Sequence, residues 1–307
     1  MCPASPVDGP PRLFDRDLLR RRRDRAAGGD ASHNFLFRAV AERLVDRLDD
    51  VRRHFPLALD LGCRTGIVAA ALGARGGIET LIQSDLSPAM ARRARAPGRP
   101  ALAGDEECLP FAAGVFDLVL SNFALHWVND LPGVLAQIRR VLRPDGLFLA
   151  ALPGGETLWE LRQVLVEAEV AARGGASPRV APFADLRDVG GLLQRAGFAL
   201  PVADRDRITI RYPDALTLMR DLRGMGEAST LHERPRGFTR RETLFGAASR
   251  YEARFAEPDG RVPATVDVLF LTAWAPDPSQ AKPLRPGSAE FRLADALESD
   301  RAPKKRE

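Results

Sequence analysis

Residues Leu57 to Gly66, reading Leu-Ala-Leu-Asp-Leu-Gly-Cys-Arg-Thr-Gly, constrain the fold more than any other stretch. An apolar run ends near Asp60, turns through Gly62 and Gly66, and passes into Ile67-Val-Ala-Ala-Ala-Leu72. That pattern reads as a buried strand, a tight turn and a helix start. Glycine suits a backbone that must approach a ligand or take positive φ, and amides at a helix start favour polar or anionic groups. A second apolar strand, Glu79-Thr-Leu-Ile-Gln-Ser84, ends in Asp85. A carboxylate at the tip of strand two is placed to grip a ribose diol, as in dinucleotide folds. Together the two strand ends predict a nucleoside-binding crevice.

A dinucleotide site would carry G-x-G-x-x-G. The spacing here, Asp60-x-Gly62-x-Arg64-x-Gly66, instead resembles the D-x-G-x-G-x-G motif of class I S-adenosylmethionine-dependent methyltransferases. Ala103-Gly-Asp105-Glu106, then Cys108-Leu-Pro-Phe111, then the strand-like Phe116-Asp-Leu-Val-Leu-Ser-Asn122 follow in the order such proteins show. The resemblance implies S-adenosylmethionine as cofactor, held by Asp60, Gly62, Cys63, Gly66, Asp85, Leu86, Asp105, Glu106 and Asn122. Within that set Asp105 would cap the adenine amine and Asn122 would border the methionyl moiety. Arg64 departs from the pattern, which has glycine there. Two readings stay open: Arg64 faces solvent with negative φ and binding survives, or its side chain intrudes on the methionyl pocket.

Apolar strands and helical stretches alternate through the core: strand 57–61, helix 66–74, strand 79–84, helix 87–95, strands 100–103 and 116–121, helix 131–142 and strand 146–152. Arg143-Pro-Asp-Gly146 reads as a turn feeding the last of these. Such alternation implies a mostly parallel sheet covered on both faces. Helix 156–172, a helix ending near Ala196 and a strand around 205–212 continue the chain. A mostly helical stretch, 213–260, then separates that strand from Ala264–Trp274. The resemblance makes the fold Rossmann-like and seven-stranded, with 213–260 a helical lid inserted between the last two strands. The expected organisation is a basic helical extension over 1–30, a cofactor-binding domain over 31–275 and a disordered tail over 276–307.

Hydrophobic residues make up 45% and charged residues 28% of the 307, ordinary for a globular protein. No apolar run reaches membrane-spanning length. The cysteines show no zinc-ligand spacing, so no metal site is expected. The N-terminal prolines leave no room for an apolar signal core, and the expected location is cytoplasmic. The run Arg20–Arg23 with Arg25 reads as a solvated helix face; without stacking aromatics it predicts no nucleic-acid partner.

Longer strings narrow the likeness. Phe14-Asp-Arg-Asp-Leu-Leu, Leu125-His-Trp-Val-Asn-Asp-Leu-Pro132, Leu222-Arg-Gly-Met-Gly-Glu227, Val262-Pro-Ala-Thr265 and Gln280-Ala-Lys-Pro-Leu-Arg-Pro-Gly-Ser288 all occur. With the glycine motif they resemble a family of respiratory complex I assembly factors that hydroxylate protein arginine, from about Leu13 to about Ser288. The resemblance implies a protein partner, the iron–sulfur subunit of the peripheral arm, and attachment to a membrane only through it. Spacing itself shows no oxidant: His33, His54, His126 and His232 form no His-x-Asp/Glu pair of the kind a non-haem iron site uses. Ser121-Asn-Phe-Ala-Leu-His-Trp-Val128 also resembles malonyl-carrier-protein methyltransferases, and a non-catalytic chaperone is the third reading.

Single residues carry competing roles. Asp85 can bind ribose or cap the helix after Ser87. Asp60 can meet the cofactor or anchor the turn amides. His126 and Trp127 can act chemically or merely pack. A guanidinium substrate needs carboxylates, for which Asp221, Glu227 and Glu156 are candidates, and Gly224-Met-Gly226 reads as a hinge. The catalytic groups are not legible.

Overall fold

The computed structural model describes residues 12–96 and 99–281. The expected disordered tail lies outside the described residues from 282 onward, as do the first eleven residues. Residues 277–281 form a small turn in which Asp277 accepts from Ser279.

In chain order the elements begin with α1 (Arg16–Ala27), α2 (Phe35–Asp46), β1 (Leu57–Leu61), α3 (Ile67–Leu72), β2 (Thr80–Asp85), α4 (Pro88–Ala94) and β3 (Ala101–Ala103). There follow β4 (Phe116–Asn122), α5 (Leu131–Val141), β5 (Leu142–Pro153), α6 (Trp159–Arg173) and α7 (Leu186–Arg195). The last are β6 (Ala199–Tyr212), α8 (Ala215–Gly224), α9 (Arg241–Phe255) and β7 (Val262–Trp274). One sheet runs β3-β2-β1-β4-β5-β7-β6. Its pairs are parallel except those of β7, which runs antiparallel to both β5 and β6. This is the Rossmann-like arrangement expected.

Successive strand residues point to opposite faces, so a strand covered on both sides reads as continuous apolar sequence. In β4, Leu118 and Leu120 pack on one face with Phe37, Val40 and Val68 of α2 and α3. Val119 packs on the other with Val134 and Ile138 of α5 and Leu193 of α7. β6 is one of the two edge strands, and its exposed face carries Arg205 and Arg207 against Asp267 and Arg211 against Glu257. Charge on an edge discourages pairing with another chain.

Two boundaries differ from expectation. The Arg143–Gly146 turn lies inside β5: the register against β4 jumps from Phe116↔Leu142 to Leu118↔Leu147, and Asp145 takes φ 61° at the irregularity. A bulge absorbs the extra residues without ending the strand. β6 begins earlier than expected, at Ala199, because β7 pairs with it from Ala199 to Tyr212.

The inserted segment between β6 and β7 contributes α8 and α9. They share a core with α6 and β7 that includes Leu161, Leu165, Leu218, Ala248 and Tyr251. Tyr251 is fully buried and its hydroxyl donates to Pro263 O at 2.7 Å, tying α9 to the start of β7. Truncation there removes a large apolar ring and a hydrogen bond together. Tyr251→Ala is expected to cost about 3–5 kcal/mol in chemical denaturation; a loss below about 1 kcal/mol would mean the insertion is not held by this core.

Candidate functional site

The turn after β1 is held by its own backbone. Gly62 and Cys63 donate to Ser84 O at 2.8 and 3.0 Å, pinning the end of β1 to β2. Gly62 has φ 77°, and a Cβ there would fall 2.1 Å from the Ala124 methyl. No other residue fits that approach. Gly66 starts α3 at φ 82°, with Ala94 of α4 packed close behind it. Cys63 is buried, and burial pushes its thiol pKa up, so it is an inert small apolar group.

Arg64 does not face solvent with negative φ. Its φ is 52°, its side chain is 2% exposed, and it reaches inward from the turn. Its guanidinium lies 3.7 Å from the centre of the Phe37 ring. One nitrogen donates to Glu227 Oε1 at 2.8 Å and another to Met225 O. A buried acid, a carbonyl and an aromatic face compensate both the positive φ and the desolvated charge.

Acidic residues crowd the strand ends. Asp85, at the tip of β2, is fully buried and accepts from the amides of Arg64 (3.0 Å) and Ser87 (2.8 Å). It therefore supports both the turn and the start of α4, while Ser87 is the capping residue that accepts from Met90. Glu106 is also fully buried; Asp105 stands beside it, partly exposed. Leu86 packs with Phe14 and Trp127.

The expected solvated basic face fits Arg21 and Arg25 but not Arg23. α1 turns Arg23 fully inward, 2.9 Å from Glu106 Oε1 and 3.6 Å from Asp85 Oδ1. Arg16 bonds Asp105 Oδ1 at 2.6 Å and also Glu106. Burial opposes ionisation of Glu106, but the charges of Arg16 and Arg23 outweigh it and hold its pKa at about 2. Neither arginine was among the sequence candidates. The one signal available was the spacing of Arg16, Leu19 and Arg23, which places all three on one face of a helix.

Asp60 is the reverse case. It is fully buried, and neither carboxylate oxygen has a hydrogen-bond partner, so it does not anchor the turn amides. Burial, helped by the nearby Asp85 charge, pushes its pKa up to about 8. Asn122, at the end of β4, donates to Phe37 O at 2.9 Å, and its Oδ1 is buried and unpartnered. Asp60 and Asn122 thus leave acceptors unmet in the crevice, where an ammonium group would satisfy them. Among the described residues no group of three His, Cys, Asp or Glu side chains is placed to hold a metal ion.

Next to the crevice lies a pocket of about 260 Å³ between the sheet and the inserted segment. Phe37, Phe123, Trp127, Tyr212, Met225 and Glu227 are among its lining. Glu227 Oε2 receives His126 Nε2 at 3.1 Å and Trp127 Nε1 at 2.6 Å. Burial opposes the ionised state of Glu227, but the His126 hydrogen bond and the Arg64 charge hold its pKa at about 2. His126 itself is buried and its pKa is lowered, chiefly by that burial, so the ring is neutral at pH 7. Of the other carboxylate candidates, Asp221 pairs with His33 at 2.7 Å and Glu156 is exposed. Glu227 alone of the three lines the pocket.

Asp60 has a direct consequence for stability. A carboxyl whose folded pKa exceeds its unfolded value retains a proton the unfolded chain has already lost, so stability falls as pH rises through that window. For Asp60 the window runs from 3.8 to about 8. Thermal melts of ligand-free wild type are expected to lose stability across it relative to Asp60→Asn, and parallel curves would contradict a protonated Asp60.

A methyltransferase-domain family model matches residues 59–150, the stretch from β1 to the middle of β5. An arginine hydroxylase of zebrafish, Danio rerio, named NDUFAF5 and mitochondrial, is 42% identical over 92% of this chain and 89% of its own length. A malonyl-[acyl-carrier protein] O-methyltransferase of Methylovorus sp. (strain MP688) is 36% identical over 91% of this chain and 96% of its own. Among solved structures, the YcgJ protein of Bacillus subtilis aligns with TM-score 0.55 at 16% identity over 76% of this chain and 98% of its own, a likeness of fold. With the glycine turn, the strand order and the inserted helices all in place, the chain belongs to the methyltransferase-fold family of the NDUFAF5 arginine hydroxylases.

Proposed function

We propose that this chain is an S-adenosylmethionine-binding enzyme of respiratory complex I assembly that hydroxylates an arginine on the iron–sulfur subunit of the peripheral arm. The observation that carries the reading is the extent of the likeness to arginine hydroxylases, 92% of the chain, which takes in the inserted segment and its Glu227. An activity grafted on a common fold is argued from its site rather than from the fold. Here the site offers a largely shielded carboxylate beside an apolar pocket, chemistry suited to the alkyl stem and charged head of arginine.

The cofactor part of the proposal rests on the unmet acceptors. Asp60 would hold the methionyl ammonium, with Asn122 beside it; Asp85 would take the ribose diol, and Asp105 the adenine amine. Asp85 accepts from two backbone amides and stands 3.6 Å from Arg23, and a carboxyl group has further lone pairs to offer. When bound, S-adenosylmethionine supplies an electrophilic sulfonium methyl; the oxygen donor for hydroxylation is a separate reactant. Gly62 lets the turn after β1 pack directly on Ala124, and Trp127 and Phe37 give the pocket aromatic walls.

Malonyl-carrier-protein methylation is the second reading, supported by relatives at 36% identity. One measurement separates them. Intact mass of the iron–sulfur subunit co-expressed with this chain is expected to rise by one oxygen atom, at an arginine. A rise by one methyl group, or no change, would reject hydroxylation.

Calorimetry tests the cofactor directly. S-adenosylmethionine is expected to bind, and Asp85→Ala to weaken it roughly ten- to hundredfold, the equivalent of one charge-assisted hydrogen bond. Binding should also release protons near pH 7, as Asp60 ionises opposite the ammonium. Absent binding, or equal affinity in the variant, would refute the assignment.

A further inference from the structure

Glu227 holds a guanidinium already. The group belongs to Arg64, and its surroundings are those a protein uses to recognise arginine: a carboxylate oxygen at 2.8 Å, the Met225 carbonyl, and the centre of the Phe37 ring 3.7 Å from the guanidinium carbon. Phe37, Met225 and Glu227 also line the apolar pocket. Glu227 is the one carboxylate among the lining residues, and the other charged group there, Arg179, is spent on Glu169 at 2.7 Å.

Arg64 is an imperfect occupant. It reaches the subsite from a turn where its backbone takes φ 52°, and its Nε is buried without a partner. A glycine at that position would remove the positive-φ penalty and vacate the subsite. An incoming arginine would approach from the pocket with its alkyl stem along Phe123 and Met225, and Glu227 would receive its head while still braced by His126 and Trp127. A second guanidinium on Glu227 Oε1 would meet the charge of Arg64 at close range, and the two would repel. Entry of one is therefore opposed by the presence of the other.

We infer that Glu227 is the anchor for the substrate guanidinium, and that Arg64 is an internal stand-in that holds the subsite in the substrate-free chain and competes with substrate for it. This deepens the proposed arginine-directed activity and rests on it for the identity of the substrate. It does not require the cofactor.

The test uses the full chain without cofactor and two small probes, N-acetyl-arginine methylamide and its neutral isostere N-acetyl-citrulline methylamide, titrated by calorimetry. Wild type is expected to prefer the arginine probe at least tenfold. Arg64→Gly is expected to bind the arginine probe several-fold more tightly than wild type, and Glu227→Gln to lose the preference. Because Glu227→Gln leaves Arg64 buried without its counter-charge and can fail to fold, the double variant Arg64→Gly/Glu227→Gln repeats the reading with neither charge present. A wild type without preference, a preference that survives in the folded Glu227 variants, or an Arg64→Gly that binds the arginine probe more weakly would each overturn the inference. Titration of the same proteins with S-adenosylmethionine keeps the two conclusions apart: arginine preference without cofactor binding upholds the anchor and sinks the enzyme reading, and the converse does the opposite.

Discussion

Asp85, Glu106 and Glu227 are carboxylates withdrawn almost wholly from water at one end of the sheet, and the rest of the site is arranged around neutralising them. Desolvating an ion costs several kcal/mol unless charge and hydrogen bonds are returned. Arg23 and Arg16 return them from α1, and Arg64 does so from the turn after β1. This accounts for an N-terminal helix packed over the strand ends through Phe14 and Leu19, and for a non-glycine residue held at positive φ. Breaking a buried pair by removing one partner is strongly destabilising, about 3–5 kcal/mol, because the remaining charge stays behind. The network therefore ties α1 to the strand ends alongside its apolar contacts.

Asp60 stands outside that network although it lies beside Asp85. Both its oxygens lack partners, and it answers burial by keeping its proton rather than by finding a cation. Within one crevice, carboxyls of the same chemistry thus reach different states: Glu106 and Glu227 ionised by their arginines, Asp60 neutral without one. Unpartnered acceptors therefore remain on Asp60 in β1 and on Asn122 at the end of β4.

The scaffold was legible in the sequence because it rests on periodicity and glycine. The apolar runs at 57–61 and 116–121, the turn through Gly62 and the inserted helices before Val262 all express local rules that one chain segment obeys by itself. The ends of β5 and β6 were misjudged because a bulge and a long antiparallel pairing are decided by the partner strand. The strand-end positions of Asp85 and Asn122 were legible for the same reason as the strands, since each closes one. The arginines were not. Arg23 meets Glu106, and Arg64 meets Glu227, across long sequence separations; helix spacing puts Arg23 on the face of Leu19 but does not identify its partner. Arginine is almost never fully buried unless paired, so a reading from residue type alone sends Arg64 and Arg23 outward, and only the tertiary arrangement of acids brings them in.

Arg64 joins the two halves of the site by covalent geometry. Its backbone N–H donates to Asp85 Oδ2 at 3.0 Å, on the nucleoside side, while its guanidinium binds Glu227, on the pocket side. The side chain can swing on its own χ torsions, but a change of φ here would rotate the adjoining peptide units and so move the N–H that Asp85 accepts. Whatever occupies the Glu227 subsite and whatever contacts Asp85 meet at this one residue. Coupling between two sites is a shared free energy, and it is reciprocal. In this chain the shared element is a single residue, placed where a glycine would have left the crevice and the pocket without a side chain in common.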